Sequence, residues 1–256
     1  MDYLNYWSLL DKPFTAIDSS FFMGVPQREA IAGLNYFITN QLASAVLVGP
    51  AGSGLTTLLA HLQAMRGFDD CAAEMVFTEG SHETPESAQL ALCRALGYQE
   101  LDGDLAARID SAITATAQQG LQTVWLIDRC SVVTARIARD LANQHSNLSI
   151  VIGTTSGEFL RQIVEFGRCG MRIDLAPLSI DDAIEFVQHG LEHAGGSSEL
   201  FCDNTVIRLH EMTGGILSEL TVLAETSLAL AASHSMDRVT PAIVEAVEEQ
   251  SSWAAA

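Results

Sequence analysis

The sequence predicts an α/β fold in which a parallel sheet lies between two layers of helices and is followed by a small all-helical domain. Three observations support this fold. Short apolar segments alternate with helical patterns of about 10–15 residues as far as Leu175. The apolar segment 124–127 contains no polar residue, which is typical of a strand buried on both faces. After Pro177 the strand patterns end and only helical patterns follow.

Composition bounds the size of the protein and the classes to which it can belong. A length of 256 residues suits one large domain or one domain plus a small one, at roughly 150 residues per domain. The hydrophobic fraction of 48% excludes a disordered chain, because such chains lack apolar residues. A formal net charge of −19 argues against direct nucleic-acid binding, which needs clustered cations.

The elements follow one another from an aromatic N-terminal segment. Residues 1–24 read as irregular, and we expect them to pack on the core. A helix over 27–42 leads into a strand over 44–48, and a second helix runs through Met65. The spacing predicts further strands over 75–78, 123–128, 148–152 and 172–175, and helices over 86–96, 104–119 and 134–144. Helices over 180–194, 203–212, 216–233 and 240–251 complete the chain, giving predicted domains of 1–24, 25–177 and 178–256.

A glycine-rich turn stands between the strand 44–48 and the next helix, where a phosphate-binding loop is expected. Gly49 and Gly54 have the spacing of the G-x-x-x-x-G-K-[ST] motif, and Gly52 lets the backbone curl its N–H groups around an anion. The helix that follows would direct its positive end toward the phosphates. The alternative is a tight turn that binds nothing.

The loop lacks the lysine of this motif. Leu55 takes its place, and Lys12 is the only lysine in the chain. Thr56 still stands where a hydroxyl binds Mg²⁺. We therefore expect an ancestral nucleotide segment that binds ATP or ADP with Mg²⁺ only weakly, formed by Gly49, Pro50, Ala51, Gly52, Ser53, Gly54, Leu55, Thr56 and Thr57.

A second acidic motif ends the predicted strand 123–128. Asp128 stands at its tip, where an aspartate near a phosphate loop typically holds Mg²⁺. In loops that hydrolyse nucleotides a glutamate usually follows and polarises the attacking water, but here Arg129 follows. A cation cannot act as that base, and it competes with Mg²⁺ for the same oxygens.

Three further segments carry a family resemblance. They are an aromatic lead-in over Tyr6–Phe14 and Phe21–Phe22, the entry to the helical domain over Asp174–Ser179, and the turn Gly214–Ile216. Together with the two nucleotide motifs, they make the chain resemble the AAA+ ATPases of the general secretion pathway protein A, or ExeA-like, type over nearly its whole length. The resemblance implies an AAA+ P-loop three-layer core, a helical lid and assembly into rings.

The resemblance also implies residues at set positions. Ser218 stands where the lid normally carries an arginine that touches the nucleotide. Arg168 and Arg172 match the region of an arginine finger, although surface arginines that balance nearby acids explain them equally well. Thr154 and Thr155 match a polar sensor position, and ordinary turn residues are the alternative. No catalytic residue is assigned.

The charge is concentrated at the C-terminal end. Residues 173–256 hold 14 acids and two bases, a net charge of −12. The surface is either a solvated face or a docking site for a basic protein or a catalytically intact paralogue. The five cysteines lack metal-site spacing and read as free thiols. His189 and His193 are four residues apart, but a solvated helix face is favoured over a metal site.

The expected function follows from the three substitutions at Leu55, Arg129 and Ser218. Loss of one such group typically lowers the rate on the order of 10²–10⁵-fold. The leading interpretation is a degenerate AAA+ protein without significant ATP hydrolysis, acting as a scaffold or regulatory subunit. The alternatives are an active or weakly active ring-forming ATPase of the secretion or pilus-assembly type, and a regulator of DNA transactions. The sequence shows no targeting signal or membrane segment, so a cytoplasmic protein is expected. The family resemblance implies that it forms homo-oligomers.

Overall fold

The computed structural model describes residues 2–14, 21–65, 67–68, 71–100, 103–155 and 170–254. Its contacts divide the chain into two compact units. The sheet unit consists of Glu29–Gly49 and Leu55–Leu175. The helical unit consists of Met1–Arg28, Pro50–Gly54 and Ala176–Ala256. The division of the chain into domains 1–24, 25–177 and 178–256 stays a prediction.

The sheet unit is built on six strands, and five of them run parallel. In chain order they are β1 (Ser44–Val48), β2 (Gly67–Phe68), β3 (Cys71–Glu79), β4 (Gln122–Asp128), β5 (Leu148–Thr154) and β6 (Met171–Asp174). The order in the sheet is β2-β3-β4-β5-β1-β6. Only β2 pairs antiparallel, with β3. The predicted parallel sheet is confirmed, except that β2 was not foreseen because two residues are too few to show a period.

Helices cover both faces of the sheet. The sheet unit contains α3 (Leu55–Met65), α4 (Pro85–Ala95), α5 (Leu105–Gln118), α6 (Val132–Gln144) and most of α2 (Val25–Thr39). Apolar side chains of α4, α5 and α6 form one cluster with Trp125 and Ile150 of the sheet. Leu59 of α3 lies against Gly153, whose position on β5 faces the opposite side from Ile150. The three-layer arrangement is therefore confirmed.

The helical unit contains α1 (Tyr3–Trp7), α7 (Ile180–His193), a 3₁₀ turn (Ser198–Leu200), α8 (Asp203–Thr213), α9 (Leu217–Ser233) and α10 (Pro241–Ala254). Leu191, Leu209 and Leu228 belong to its fully buried core. The four predicted C-terminal helices are confirmed within one to three residues at their ends. In the described part of the chain, no helix has the length and apolar character that crossing a bilayer requires.

The N-terminal segment begins with a helix, so the prediction of an irregular segment is wrong for residues 3–7. The side chain of Asp2 caps α1 by accepting from the amide of Leu4. The indole N–H of Trp7 donates to the carbonyl of Leu228 at 3.0 Å, and the Tyr6 hydroxyl donates to the carbonyl of Met236 at 2.9 Å. Five residues are too short a helix to show periodicity, and these long-range contacts stabilise it.

The start of α7 is a capping box formed by Ser179 and Asp182. The Ser179 hydroxyl accepts from the amide of Asp182 at 3.1 Å, and Asp182 accepts from the amide of Ser179 at 3.3 Å. The other carboxylate oxygen of Asp182 accepts from the amide of Val25 at 2.7 Å. Burial acts to raise the pKa of Asp182, but these hydrogen bonds outweigh it and lower the pKa below its usual value.

Candidate functional site

The glycine-rich loop leaves the sheet unit at the carboxyl end of β1. There the amide of Leu175 donates to the carbonyl of Val48 at 2.7 Å, and the amide of Gly49 donates to the carbonyl of Thr154 at 3.4 Å. These bonds tie the start of the loop to the ends of the neighbouring strands. Ligands of open parallel sheets are found outside the carboxyl ends of the strands, so the loop begins at the expected edge.

The loop has the backbone shape of an anion site. Gly52 and Gly54 have φ values of +81° and +90°, a region that favours glycine. The amide of Ser53 donates back to Pro50 at 3.1 Å and closes a tight turn. Among the described residues, the amides of Gly52, Gly54 and Leu55 donate to no backbone carbonyl. Open amides at the start of a helix are suited to holding phosphate oxygens.

Ser53 adds an unsatisfied hydroxyl to this loop. The residue is only 4% exposed, and its hydroxyl has no hydrogen-bond partner within the part of the chain that the structure describes. A buried hydroxyl without a partner costs about 1–3 kcal/mol. Together with the open amides, it makes the loop fit the phosphate groups of a nucleotide.

At the position where the phosphate-loop motif has a lysine, this chain has a buried apolar residue. Leu55 is 6% exposed and lies on the buried stripe of α3 with Leu58, Leu59 and Leu62. The spacing of these residues is that of one helix face. No ammonium group stands at this position to neutralise phosphate charge, and Lys12 lies on the exposed surface of the N-terminal segment.

The structure brings Thr56 and Asp128 together. The Thr56 hydroxyl donates to Oδ2 of Asp128 at 2.7 Å, although 72 positions separate the two residues. Asp128 is 3% exposed at the end of β4, in register with Glu79 at the end of β3. This pairing is the arrangement in which a hydroxyl and an aspartate share Mg²⁺ in phosphoryl-transfer sites.

Arg129 occupies the space around this carboxylate. Its Nη2 atom lies 2.7 Å from Oε1 of Glu79, and its Nε atom lies 3.6 Å from Oδ2 of Asp128. The backbone of Arg129 is left-handed, with φ +49°, which is uncommon outside glycine. The guanidinium is a cation close to Oδ2 of Asp128, and Mg²⁺ at this carboxylate would be repelled by it. With the guanidinium in this position, the residues around Asp128 do not fit a metal ion.

Glu79 is a neighbour of Asp128 that the sequence did not indicate. It forms the shorter of the two ion pairs of Arg129 and is 54% exposed by its side chain. The signal was an acid at the carboxyl end of the strand that pairs with β4. Strand order is a tertiary property, so this neighbour could not be assigned from spacing alone.

Ser218 contacts the loop in the helical unit. Its amide donates to the carbonyl of Gly52 at 3.0 Å. A Cβ atom added to Gly52 would lie only 2.0 Å from the Ser218 hydroxyl, and one added to Gly54 would lie 3.1 Å from Cδ2 of Leu217. The first turn of α9 therefore lies directly against the loop and presents a hydroxyl, with no charge to pair with phosphate.

The contacts of the sensor and arginine-finger candidates do not assign them a role. Thr154 ends β5 and is 7% exposed, and Thr155 beside it is exposed. Arg172 forms an ion pair with Asp174 two residues along β6, at 2.6 Å. Arg168 lies outside the described residues. The sensor and arginine-finger roles stay predictions.

Metal and disulfide chemistry are not indicated elsewhere in the described ranges. No group of three or more potential metal ligands occurs there. The rings of His189 and His193 lie 5.5 Å apart, and His189 also lies 6.0 Å from the ring of Phe22. Four cysteines in these ranges are free thiols, as the sequence predicts: Cys71, Cys93, Cys130 and Cys202.

Comparison with known proteins agrees with the resemblance read from the motifs. General secretion pathway protein A of Aeromonas hydrophila is 23% identical over 258 residues, which covers 93% of this chain and 46% of the relative. The chain thus spans about half the length of the curated relative it matches. No family model matches the chain.

Solved structures show the same fold. Cdc6p from Pyrobaculum aerophilum matches with a TM-score of 0.68 at 13% identity, covering 90% of this chain and 68% of that one. A chain of Drosophila ORC bound to DNA matches with a TM-score of 0.65 at 16% identity, covering 96% and 64%. A RuvB mutant from Thermotoga maritima matches with a TM-score of 0.59 at 15% identity, covering 89% and 70%. The α/β P-loop fold with a helical C-terminal part, and the resemblance to secretion-type AAA+ ATPases, are therefore confirmed.

Proposed function

We propose that this chain, a P-loop protein resembling the AAA+ ATPases of the general secretion pathway protein A type, does not hydrolyse ATP at a significant rate. It acts instead as a scaffold or regulatory subunit in the cytoplasm, within a homo-oligomer or beside a catalytically intact paralogue. The observation that carries the proposal is Leu55, a buried apolar side chain at the position of the phosphate-binding lysine.

Two further contacts support the proposal. Arg129 pairs with Asp128 and Glu79, so a cation already lies beside the carboxylate that would hold Mg²⁺. Ser218 holds the loop by a backbone hydrogen bond but carries no charge. Each missing group would stabilise the charge that develops on a phosphoryl transition state. Loss of one typically lowers the rate on the order of 10²–10⁵-fold, so losing three brings hydrolysis close to background.

The first experiment measures phosphate release by the full chain with ATP and Mg²⁺. The matched control is Asp128→Asn, which removes the carboxylate but keeps its size. We expect the two proteins to release phosphate at the same background rate. A rate at the level of ordinary AAA+ ATPases that disappears in Asp128→Asn would refute the proposal.

An active or weakly active ring-forming ATPase is the second candidate. It is favoured by the hydrogen bond between Thr56 and Asp128 at 2.7 Å and by the open amides of the loop. Calorimetric titration with ATP, with and without Mg²⁺, tests it directly. Binding that requires Mg²⁺, followed by turnover that rises as the chain oligomerises, would favour this candidate over a scaffold.

A further inference from the structure

The helical unit carries a groove, which we call the lid groove, between the end of α8, α9 and α10. It has a volume of about 370 Å³. Apolar side chains of Met212, Val222, Leu223 and Val247 form part of its wall. Val222 is 64% exposed, which makes it one of the most exposed large apolar residues in the described chain. A group of neighbouring apolar side chains rimmed by polar residues is typical of an interaction site.

Acidic side chains complete the wall of the lid groove. Glu219 and Glu248 line it, and neither has an ion-pair partner among the described residues. Arg208 of the neighbouring helix α8 is held by Glu211 and Glu245 at 3.0 Å each. Residues 173–256 carry a net charge of −12. The wall of the lid groove thus combines apolar and acidic side chains, and no lysine or arginine of the described ranges lines it.

We propose that the lid groove docks a segment of another protein in which an apolar side chain is flanked by lysine or arginine. The inference rests on the proposed scaffold function and names the partner's chemistry. The apolar side chain replaces water against Val222 and Leu223, while the flanking cations pair with Glu219 and Glu248. Charge complementarity selects such a segment and rejects acidic ones.

The size and walls of the lid groove limit how the segment binds. A volume near 370 Å³ lies at the small end of the range of roughly 300–1,000 Å³ for binding pockets, so one or two side chains enter it. The walls are helices whose backbone groups bond within the helix, so no free strand edge is offered for pairing. Recognition therefore proceeds through side chains, as when an amphipathic helix lies in a groove.

The test uses the full chain and two labelled synthetic helical peptides. One peptide consists of leucine and lysine with the leucines on one face, and the other has glutamate at every lysine position. Fluorescence anisotropy should show binding of the lysine peptide, weakened by salt, and no binding of the glutamate peptide. Val222→Ser should weaken binding about tenfold, because it removes the apolar contact without adding a charge that would attract the lysine peptide.

A pair of charge variants separates the groove from the general acidity of the unit. Glu219→Gln/Glu248→Gln should weaken binding of the lysine peptide by roughly two- to thirtyfold, as expected for two exposed ion pairs. Glu185→Gln/Glu199→Gln removes the same charge from exposed positions outside the groove and should change binding less than about twofold. Equal weakening by both variants would overturn the proposal, and so would absence of binding to the lysine peptide.

Two controls keep the outcomes distinct. Sedimentation that shows a dimer of the chain, lost in Val222→Ser, would assign the lid groove to a second copy and overturn the proposed occupant. Phosphate release measured on the same preparations tests the scaffold function separately. Turnover of ATP with intact peptide binding would refute the scaffold function alone, whereas peptide binding insensitive to the groove variants would refute the groove alone.

Discussion

Substitution of Gly52 by alanine probes the contact between the glycine-rich loop and the helix α9. The added Cβ atom would lie 2.0 Å from the hydroxyl of Ser218 and 3.1 Å from Cγ2 of Ile216. Gly52 also has φ +81°, which alanine adopts only with strain. The substitution therefore combines backbone strain with a steric clash, and a suitable control separates the two.

The two contributions have different sizes. Left-handed backbone costs alanine about 1–2 kcal/mol relative to glycine. The Ser218 hydroxyl can rotate away, but its Cβ atom and the Ile216 methyl group remain 3.1 Å from the new atom. Overpacking of this kind costs about 1–3 kcal/mol. We expect Gly52→Ala to lower the free energy of unfolding by roughly 2–5 kcal/mol in total.

Gly214→Ala is the matched control in the same unit. Gly214 also has a left-handed backbone, with φ +59°, but a Cβ atom there meets nothing within 4 Å. It should lose only the backbone contribution of about 1–2 kcal/mol. Urea unfolding followed by circular dichroism measures both variants. Ser218→Ala combined with Gly52→Ala should recover part of the excess, since neighbouring residues couple by about 0.5–3 kcal/mol.

Equal losses in Gly52→Ala and Gly214→Ala would refute the reasoning. That outcome would mean that the loop does not lie against the start of α9 in solution, because the contacts with Ser218 and Ile216 distinguish the two sites. A double variant with no recovery would point the same way.

Three further predictions concern single side chains. Asp182→Ala should lower the free energy of unfolding by about 1–3 kcal/mol near neutral pH, since it removes an acceptor of two amides. The pKa of Asp182 is lowered in the folded protein, so the difference in stability from the wild type should be complete above about pH 4. In urea unfolding at acid pH, this difference should disappear as the pH falls through the folded pKa. Trp7→Phe should cost about 1–3 kcal/mol in urea unfolding, because the carbonyl of Leu228 loses its buried donor, and an unchanged midpoint would contradict this contact. Arg129→Gln should free the carboxylate of Asp128 and strengthen Mg²⁺-dependent binding of ATP in calorimetry, whereas unaltered Mg²⁺ dependence would show that the guanidinium does not block the metal.

Local patterns were sufficient for most of the fold. The strand over 44–48 agrees residue for residue with β1, because four apolar residues after Ser44, followed by Gly49 and Pro50, leave little choice of boundary. The helix ends at Gly97 and Gly120 are likewise marked by glycines with positive φ. By contrast, α1 is stabilised by contacts with residues distant in sequence, and β2 by its pairing with β3 in a hairpin. Both elements are too short to show a periodic pattern in the sequence.

The candidate site, like the fold, could be predicted from the sequence only in part. Spacing alone identified the loop around Gly52, the substitution at Leu55 and the acid at Asp128. It could not show that Asp128 accepts a hydrogen bond from Thr56, because 72 positions separate them and only the order of the strands brings them together. The pairing of Arg129 with Glu79 depends on the register of two parallel strands, which side-chain patterns do not encode.

The amino-acid sequence by itself determined the classes of element, the identity of the loop and the absence of a lysine at position 55, because each of these is a property of neighbouring residues. Tertiary structure alone decided which groups meet. It placed the guanidinium of Arg129 on the carboxylate of Asp128 and the amide of Ser218 on the carbonyl of Gly52. Distances of a few ångströms between residues far apart in the chain arise from packing, and electrostatic and hydrogen-bond energies depend on those distances.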